Sequence, residues 1–452
     1  MRSVNPATEE TLHEYGEHDA GEVRHRLERA AEAASSWRDF SFAERAGLMR
    51  RAAALLREER AAYGRLMTEE MGKPIAAAES EVDKCAWVCD YYAEHAAEML
   101  APEASATDAA RSFVRFDPIG PVLAIMPWNF PFWQHFRFAA PAVMAGNVGV
   151  LKHASNVPGC ALAIEDLFRR AGFPEGVMTT LLVPSARTAE LIARPEIKAV
   201  TLTGSETAGM EVAAQAGRHL KKTVLELGGS DPFIVLDDAD PIAAAEQAAK
   251  ARTINSGQSC IAAKRFLVEE AVADRFEAEL VRRMEALRVG DPMDRETDVG
   301  PLAREDLLAA LDDQVSRSVA AGARLATGGR RLDRKGWFYP PTVLLGVRPG
   351  MPAFDEETFG PVAAVTRARD AAEAIELANR SRFGLGASIW TGDPARAEDL
   401  AREIEAGSVF VNGMVKSDPR LPFGGVKSSG YGRELAAFGI REFVNVKTVW
   451  IK

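Results

Sequence analysis

Residues 253–266 read TINSGQSCIAAKRF, and the cysteine at 260 follows a Gly-Gln-Ser turn. A thiol there is either a small buried filler or a nucleophile held at a loop mouth. A second segment, MPWNFPFWQ over 126–134, is aromatic and carries one amide side chain, Asn129. Prolines fix the local backbone, so that amide can be aimed, and an aimed amide is a good oxyanion donor. The plainer reading is a packed aromatic corner whose Asn caps a turn. In LELGGSDP, 225–232, Glu226 ends an apolar strand between Leu225 and Leu227. Partial burial would raise its pKa towards that of a general base. The alternative is a carboxylate paired with a structural lysine.

Two further segments suit a nucleotide. AVTLTGSETAG, 199–209, runs a buried strand into Gly204-Ser205 and then a helix, whose amino end favours phosphate. It lacks the G-x-G-x-x-G fingerprint, so an ordinary turn with a serine cap competes. Lys152 in LKHASN ends another strand, where a cation could hold a ribose hydroxyl or a phosphate. A solvated surface lysine is the commoner outcome. Taken together, a thiol, an oxyanion donor, a dinucleotide site and a base suit one reaction. The thiolate adds to an aldehyde, the thiohemiacetal loses hydride to a nicotinamide, and water activated by Glu226 releases an acid. No metal is needed.

These residues must be positioned by larger elements. Residues 20–99 show helical spacing of apolar positions, with the longest helix ending near Leu100. RSFVRFDPI, 111–119, reads as strand. Strands and helices then alternate: PVLAIMP, NVGVLKH, AVTLTGS and KTVLELGG are strands separated by helices. DPFIVLDDAD, AAKRFLVEE and GSVFVNG begin a second such run. The rhythm predicts two doubly wound parallel sheets, with the chain crossing between them near residue 228.

Composition narrows the partners. The 452 residues carry a net charge of −10, which disfavours duplex nucleic acid or an anionic membrane surface. Four cysteines are too few for a disulfide scaffold. Cys85 and Cys89 share a helix face, and packing is the reading preferred over metal binding. The first residues have no apolar core, and the apolar stretch 119–151 is broken by prolines with His135 and Arg137 inside it. A soluble, cytoplasmic protein is expected.

WNFP at 128–131, TGSETAG at 203–209, ELGG at 226–229, GQSC at 257–260, EETFGPV at 356–362 and PFGGVKSSGYGRE at 422–434 lie in the order found in aldehyde dehydrogenases. The chain resembles that superfamily over nearly its whole length, and most of all its short bacterial succinate-semialdehyde dehydrogenases. The resemblance implies an α/β fold with two doubly wound parallel-sheet domains plus a small oligomerisation hairpin. The dinucleotide-binding domain would span 1–100 and 120–227, and the catalytic domain 228–430. Segments 101–119 and 431–452 would form the oligomerisation element of a homodimer or homotetramer.

It also implies roles. Cys260 would be the nucleophile, Asn129 with the Cys260 amide the oxyanion hole, and Glu226 the hydrolytic base. Lys152 would contact the adenosine ribose and Ser205, beside Gly204, the pyrophosphate. Glu357 would hold the nicotinamide ribose, with Phe359 near its ring. Trp128 and Leu227 complete the cofactor set, and Trp128 with Phe423 would flank the aldehyde tunnel. Ser155 stands where NAD-specific relatives often carry Glu. It removes repulsion of a 2′-phosphate, so NADP is favoured over NAD.

The substrate would be succinate semialdehyde, its carboxylate held by Arg137, with Ser417 and Arg420 nearby. Many relatives have a second arginine where this chain has Ile254, so the clamp is incomplete. Ile261 replaces a second cysteine found in some relatives, which removes a local disulfide switch. The alternative is a broad-specificity aldehyde dehydrogenase. A cysteine hydrolase, a CoA-acylating enzyme and a non-catalytic family member rank behind. No hydrolase histidine motif accompanies the thiol, Glu226 is present, and Cys260, Asn129 and Glu226 are intact.

Overall fold

Strands that are apolar on both faces must be covered on both faces, and that decides this architecture. In the computed structural model, which describes Met1–Lys452, the strands Pro121–Met126, Val148–His153 and Ala199–Thr203 are buried at every position. They lie in a six-stranded sheet ordered Gly430–Tyr431, Lys222–Glu226, Ala199–Thr203, Pro121–Met126, Val148–His153, Met178–Thr180. Every pairing is parallel except that of the edge strand Gly430–Tyr431. The chain builds outward from Pro121–Met126 to one edge, then returns to build the other side from Ala199–Thr203. The strand order therefore reverses between these two, and a crevice opens beyond their carboxyl ends.

A seven-stranded sheet follows, ordered Arg324–Thr327, Thr342–Leu345, Val362–Ala368, Ala263–Glu269, Asp231–Val235, Gly386–Trp390, Ser408–Val411. Only its edge strand Arg324–Thr327 is antiparallel. The chain leaves the carboxyl end of the first sheet at Glu226 and enters the amino end of the second at Asp231. Only Leu227, Gly228, Gly229 and Ser230 lie between these two strands, so the carboxyl end of the first sheet must face the amino end of the second. The loop before Ala263–Glu269, which carries Cys260, is thereby set opposite the crevice.

The longest helix, Ile75–Met99, ends just before Leu100, as the spacing predicts. Its buried stripe includes Val82, Cys85, Cys89 and Tyr92, so both cysteines face the core. A third, three-stranded sheet pairs Val444–Ile451 with Arg111–Pro118, and that strand with Glu103–Ala104. Segment 431–452 divides where the expectation kept it whole. Tyr431 stays with the first sheet, and Leu435, Ile440 and Phe443 bury in the first core because they are apolar. Only Val444–Ile451 joins the hairpin. An amino-terminal hairpin, Arg2–Val4 with Thr11–Glu14, was not anticipated, because its second strand is exposed and shows no apolar alternation.

Candidate active site

The cysteine loop is built from backbone that most residues avoid. Asn255 has φ 52°, Ser256 φ 57° and Gly257 φ 79°. Left-handed conformations cost a non-glycine residue about 1–2 kcal/mol, so something must hold them. Asn255 Nδ2 donates to the carbonyls of Asn129 at 2.7 Å and Gln258 at 3.0 Å. Ser256 Oγ accepts from the Gly300 N–H at 3.0 Å, and Arg252 donates to the Gly257 carbonyl at 2.7 Å. At Gly257 itself a Cβ would lie 2.2 Å from the Gly360 carbonyl carbon, so no side chain fits. On the far side Lys264 Nζ donates to the Ser259 and Cys260 carbonyls, each at 2.9 Å.

Asn129 reaches this loop directly. Its Nδ2 donates to the Gln258 carbonyl at 3.1 Å. An amide nitrogen has two donors, so one stays available. The segment after it is anchored by Glu81, whose carboxylate accepts the Phe132 and Trp133 N–H groups at 3.0 and 2.9 Å. Buried Lys73 pairs with Glu81 in turn. The Cys260 backbone N–H has no partner within the protein. Two donors, the Asn129 amide and the Cys260 N–H, thus belong to the cleft that Cys260 lines.

Burial pushes the Cys260 thiol up to about 12, and Arg137 and Lys264 pull it back only in part. The resting group is a thiol, and its thiolate fraction grows about tenfold per pH unit below that value. Inactivation by iodoacetamide should therefore accelerate about tenfold per unit from pH 7 to 9 without levelling. A plateau by pH 8 would mean a thiolate already formed at rest.

Cys260 and Asn129 open into a cleft of about 420 Å³ at the crevice of the first sheet. Trp128, Lys152, Gly204, Ser205, Leu227, Glu357 and Phe359 line it. Trp128 and Phe359 meet edge to face at 5.8 Å, which closes the end near the thiol. Lys152 Nζ donates to Ser185 Oγ at 3.1 Å and forms no ion pair, while burial lowers its pKa. Ser205 caps the helix Glu206–Arg218 by accepting the Ala208 N–H at 3.3 Å. Glu357 accepts the Gly229 N–H at 3.0 Å and lies 3.5 Å from Lys264. Ser155 does not line the cleft; it is exposed in the turn after Ala154, which does.

Glu226 is not on that lining either. Both its oxygens are buried without a hydrogen-bond partner. Burial raises its pKa well above the carboxylate range, Arg137 counteracts and Glu434 adds to the rise. No lysine pairs with it; the nearby cations are Arg137 and, more weakly, Arg433.

Of the substrate-side expectations, those for Arg137, Arg420 and Phe423 need correction. Arg137 is almost fully buried, ion-paired with Glu434, and donates to Thr203 Oγ1 at 3.2 Å. Its guanidinium lies 4.6 Å over the Phe423 ring. A cation so committed is not free to clamp a substrate carboxylate, and leaving Glu434 unpaired would be costly. Arg420 is exposed and paired in a fork with Asp418 at 2.8 and 2.7 Å, so it is surface charge. Phe423 is buried beneath Arg137. Ser417 is buried and accepts from Lys84 Nζ at 2.8 Å and Trp133 Nε1 at 3.1 Å. Sequence reasoning missed Ser185, Asn255, Lys264 and Lys84. Asn255 alone left a signal, as a residue tolerant of left-handed backbone in a tight turn.

Comparison with known proteins places the chain in a family. Residues 1–449 match the model of the aldehyde dehydrogenase family. The chain is 55% identical over 451 residues to the probable NADP(+) succinate-semialdehyde dehydrogenase of Synechocystis sp., covering 100% of this chain and 99% of that one. It is 52% identical over 454 residues to the NADP(+) succinate-semialdehyde dehydrogenase 1 of Mycobacterium tuberculosis, with the same coverage, 100% and 99%. Among solved structures, the succinic semialdehyde dehydrogenase of Streptococcus pyogenes in complex with NADP+ superposes with a TM-score of 0.97 at 39% identity, covering 100% of this chain and 99% of that one. From its motifs, its two facing sheets and these relatives, the chain belongs to the aldehyde dehydrogenase family.

Proposed function

We propose that the protein oxidises succinate semialdehyde to succinate with NADP. One observation carries this reading: a single cleft holds the Cys260 thiol and the Asn129 amide at one end and Lys152, Ser205 and Glu357 along its length. The residues present fit a dinucleotide. Lys152 is a buried cation with no anionic partner, suited to a ribose hydroxyl or phosphate. Ser205 offers a helix amino end to the pyrophosphate, and Glu357 suits the second ribose. When bound, the nicotinamide supplies a hydride acceptor.

The chain's own groups do the rest. Cys260 Sγ adds to the aldehyde carbon, and its proton leaves to solvent. Asn129 Nδ2 and the Cys260 N–H hold the oxygen as it becomes anionic. After hydride loss the substrate is a thioester on Sγ. Glu226 takes a proton from the water that attacks it, and the acid departs as the thiol reforms. Nothing in the protein bonds the Glu226 oxygens, which leaves them able to take a hydrogen bond from water. The domain partition follows the two sheets, with dinucleotide on the first and nucleophile on the second. Val446, Trp450 and Ile451 remain exposed on the hairpin strand, which supports pairing with another subunit. No helix is long and apolar enough to cross a membrane, and we place the enzyme in the cytoplasm on its thiol chemistry and reduced cysteines.

The NADP preference rests on Ser155 and on the chain's likeness to NADP(+) succinate-semialdehyde dehydrogenases. A kcat/KM panel of succinate semialdehyde and butanal, each with both cofactors, tests the whole reading. Succinate semialdehyde with NADP should be the best pair. Ser155→Glu should lower the NADP/NAD ratio at least about tenfold, because a carboxylate meets a phosphate dianion. Equal turnover of both aldehydes would favour a broad-specificity enzyme, and an unmoved ratio would remove Ser155 from the cofactor assignment.

A further inference from the structure

The carboxylate clamp is open on the residues expected to close it, since Ile254 is uncharged and Arg137 is engaged by Glu434. A second cleft, of about 740 Å³, lies between the first turns of Ile75–Met99 and the helix Pro241–Thr253. Trp128 and Asn129 face the cofactor cleft, whereas Phe130 and Trp133 face this one. Lys84 lines it from the first helix and Ile254 from the end of the second. It approaches the cysteine loop from the side away from the nucleotide.

Lys84 is a cation without a counterion. It forms no ion pair, its Nζ lies 4.1 Å over the Trp133 ring, and its one hydrogen bond goes to Ser417 Oγ at 2.8 Å. The nearby acids are already used: Glu81 by Lys73 and Asp418 by Arg420. Burial holds Lys84 down to about 8, and Arg137 acts in the same direction, while Cys85, Glu81 and Asp418 oppose it. An anion seated on Lys84 would favour its charged form and pull its pKa back up.

The hydrogen-bond count points the same way. A serine oxygen has two lone pairs and one proton. Both lone pairs of Ser417 Oγ are taken, by Lys84 Nζ and by Trp133 Nε1 at 3.1 Å. Its own proton is left over, together with two N–H groups of Lys84. Every group remaining in the cluster is a donor, and the cluster is positive. Such a site accepts a carboxylate.

We propose that Lys84, with the Ser417 hydroxyl, receives the far carboxylate of the substrate and makes the enzyme selective for a carboxy-aldehyde. The proposal rests on the substrate reading above. It is tested by kcat/KM for succinate semialdehyde and for butanal, with NADP, in wild type, Lys84→Met and Lys84→Arg. Lys84→Met should lose about 10- to 100-fold on succinate semialdehyde, chiefly through KM, the range expected for a charge-assisted contact. Butanal should change by less than about twofold, and Lys84→Arg should recover most of the loss. Equal losses on both aldehydes would mark a structural role and overturn the proposal. So would a wild-type preference that survives in Lys84→Met, which leaves the substrate reading standing. A wild type with no preference would overturn the substrate reading itself.

Discussion

Replacing Cys260 with serine is expected to lower aldehyde-dependent NADPH formation by about 10⁴-fold or more, the scale seen when a covalent nucleophile is removed. The chemistry demands a loss of that size. A serine hydroxyl is a far weaker acid than the thiol, and no histidine or lysine that could deprotonate it appears among the cleft residues beside Cys260 other than Lys152, which is bonded to Ser185. The variant should fold normally, since oxygen is smaller than sulfur and the loop is held by side-chain-to-backbone hydrogen bonds of Arg252, Asn255 and Ser256. An unchanged Tm with NADP still bound would isolate the defect to chemistry. Turnover within tenfold of wild type would refute a covalent route through this sulfur.

Glu226→Gln is expected to separate the two halves of the reaction. Hydride transfer precedes hydrolysis, so the first turnover should give a burst of NADPH near one equivalent per subunit. Steady turnover should then fall about 10²–10⁴-fold, the usual worth of a general base, with acyl-enzyme visible as added mass on the protein. Full steady turnover would assign hydrolysis elsewhere. The same variant carries a stability signature. The native carboxyl binds its proton more tightly than the unfolded one, because burial raises its pKa. Its contribution to stability is therefore lost as pH rises through the native pKa. Glutamine has no such loss, so the Tm of the variant should exceed that of wild type increasingly towards high pH. A deficit that widens with pH would mean Glu226 is a paired structural ion.

Much of this site is readable in the chain because its signals are local. Four parallel strands announce themselves as apolar runs ended by Gly, Lys or Pro. Asn129 is flanked by fixed prolines, and Cys260 follows a turn that only permissive residues can make. Each of those readings needs fewer than ten neighbouring residues. What escaped depends on contacts between distant segments. Lys84 sits in DKCAWVCDYY, where a charge on a helix reads as solvated surface, and only its bond to Ser417 gives it meaning. Arg137 looked free because nothing near it in sequence is acidic, yet Glu434 folds back onto it from the edge of the first sheet. Lys264 appeared as one more basic residue after the cysteine, although its ammonium stitches three carbonyls of the loop together.

The abutment of Gly257 on Gly360 binds two tasks to one joint. Gly360 closes the segment that carries Glu357 and Phe359, and Gly257 begins the turn that presents the sulfur. A shift of either backbone is passed to the other, since no flexible side chain lies between them to absorb it. Adjusting the grip on the nucleotide in this lineage therefore disturbs the aim of the nucleophile as well, and divergence among relatives has to find its freedom elsewhere, along the outer walls of the two clefts.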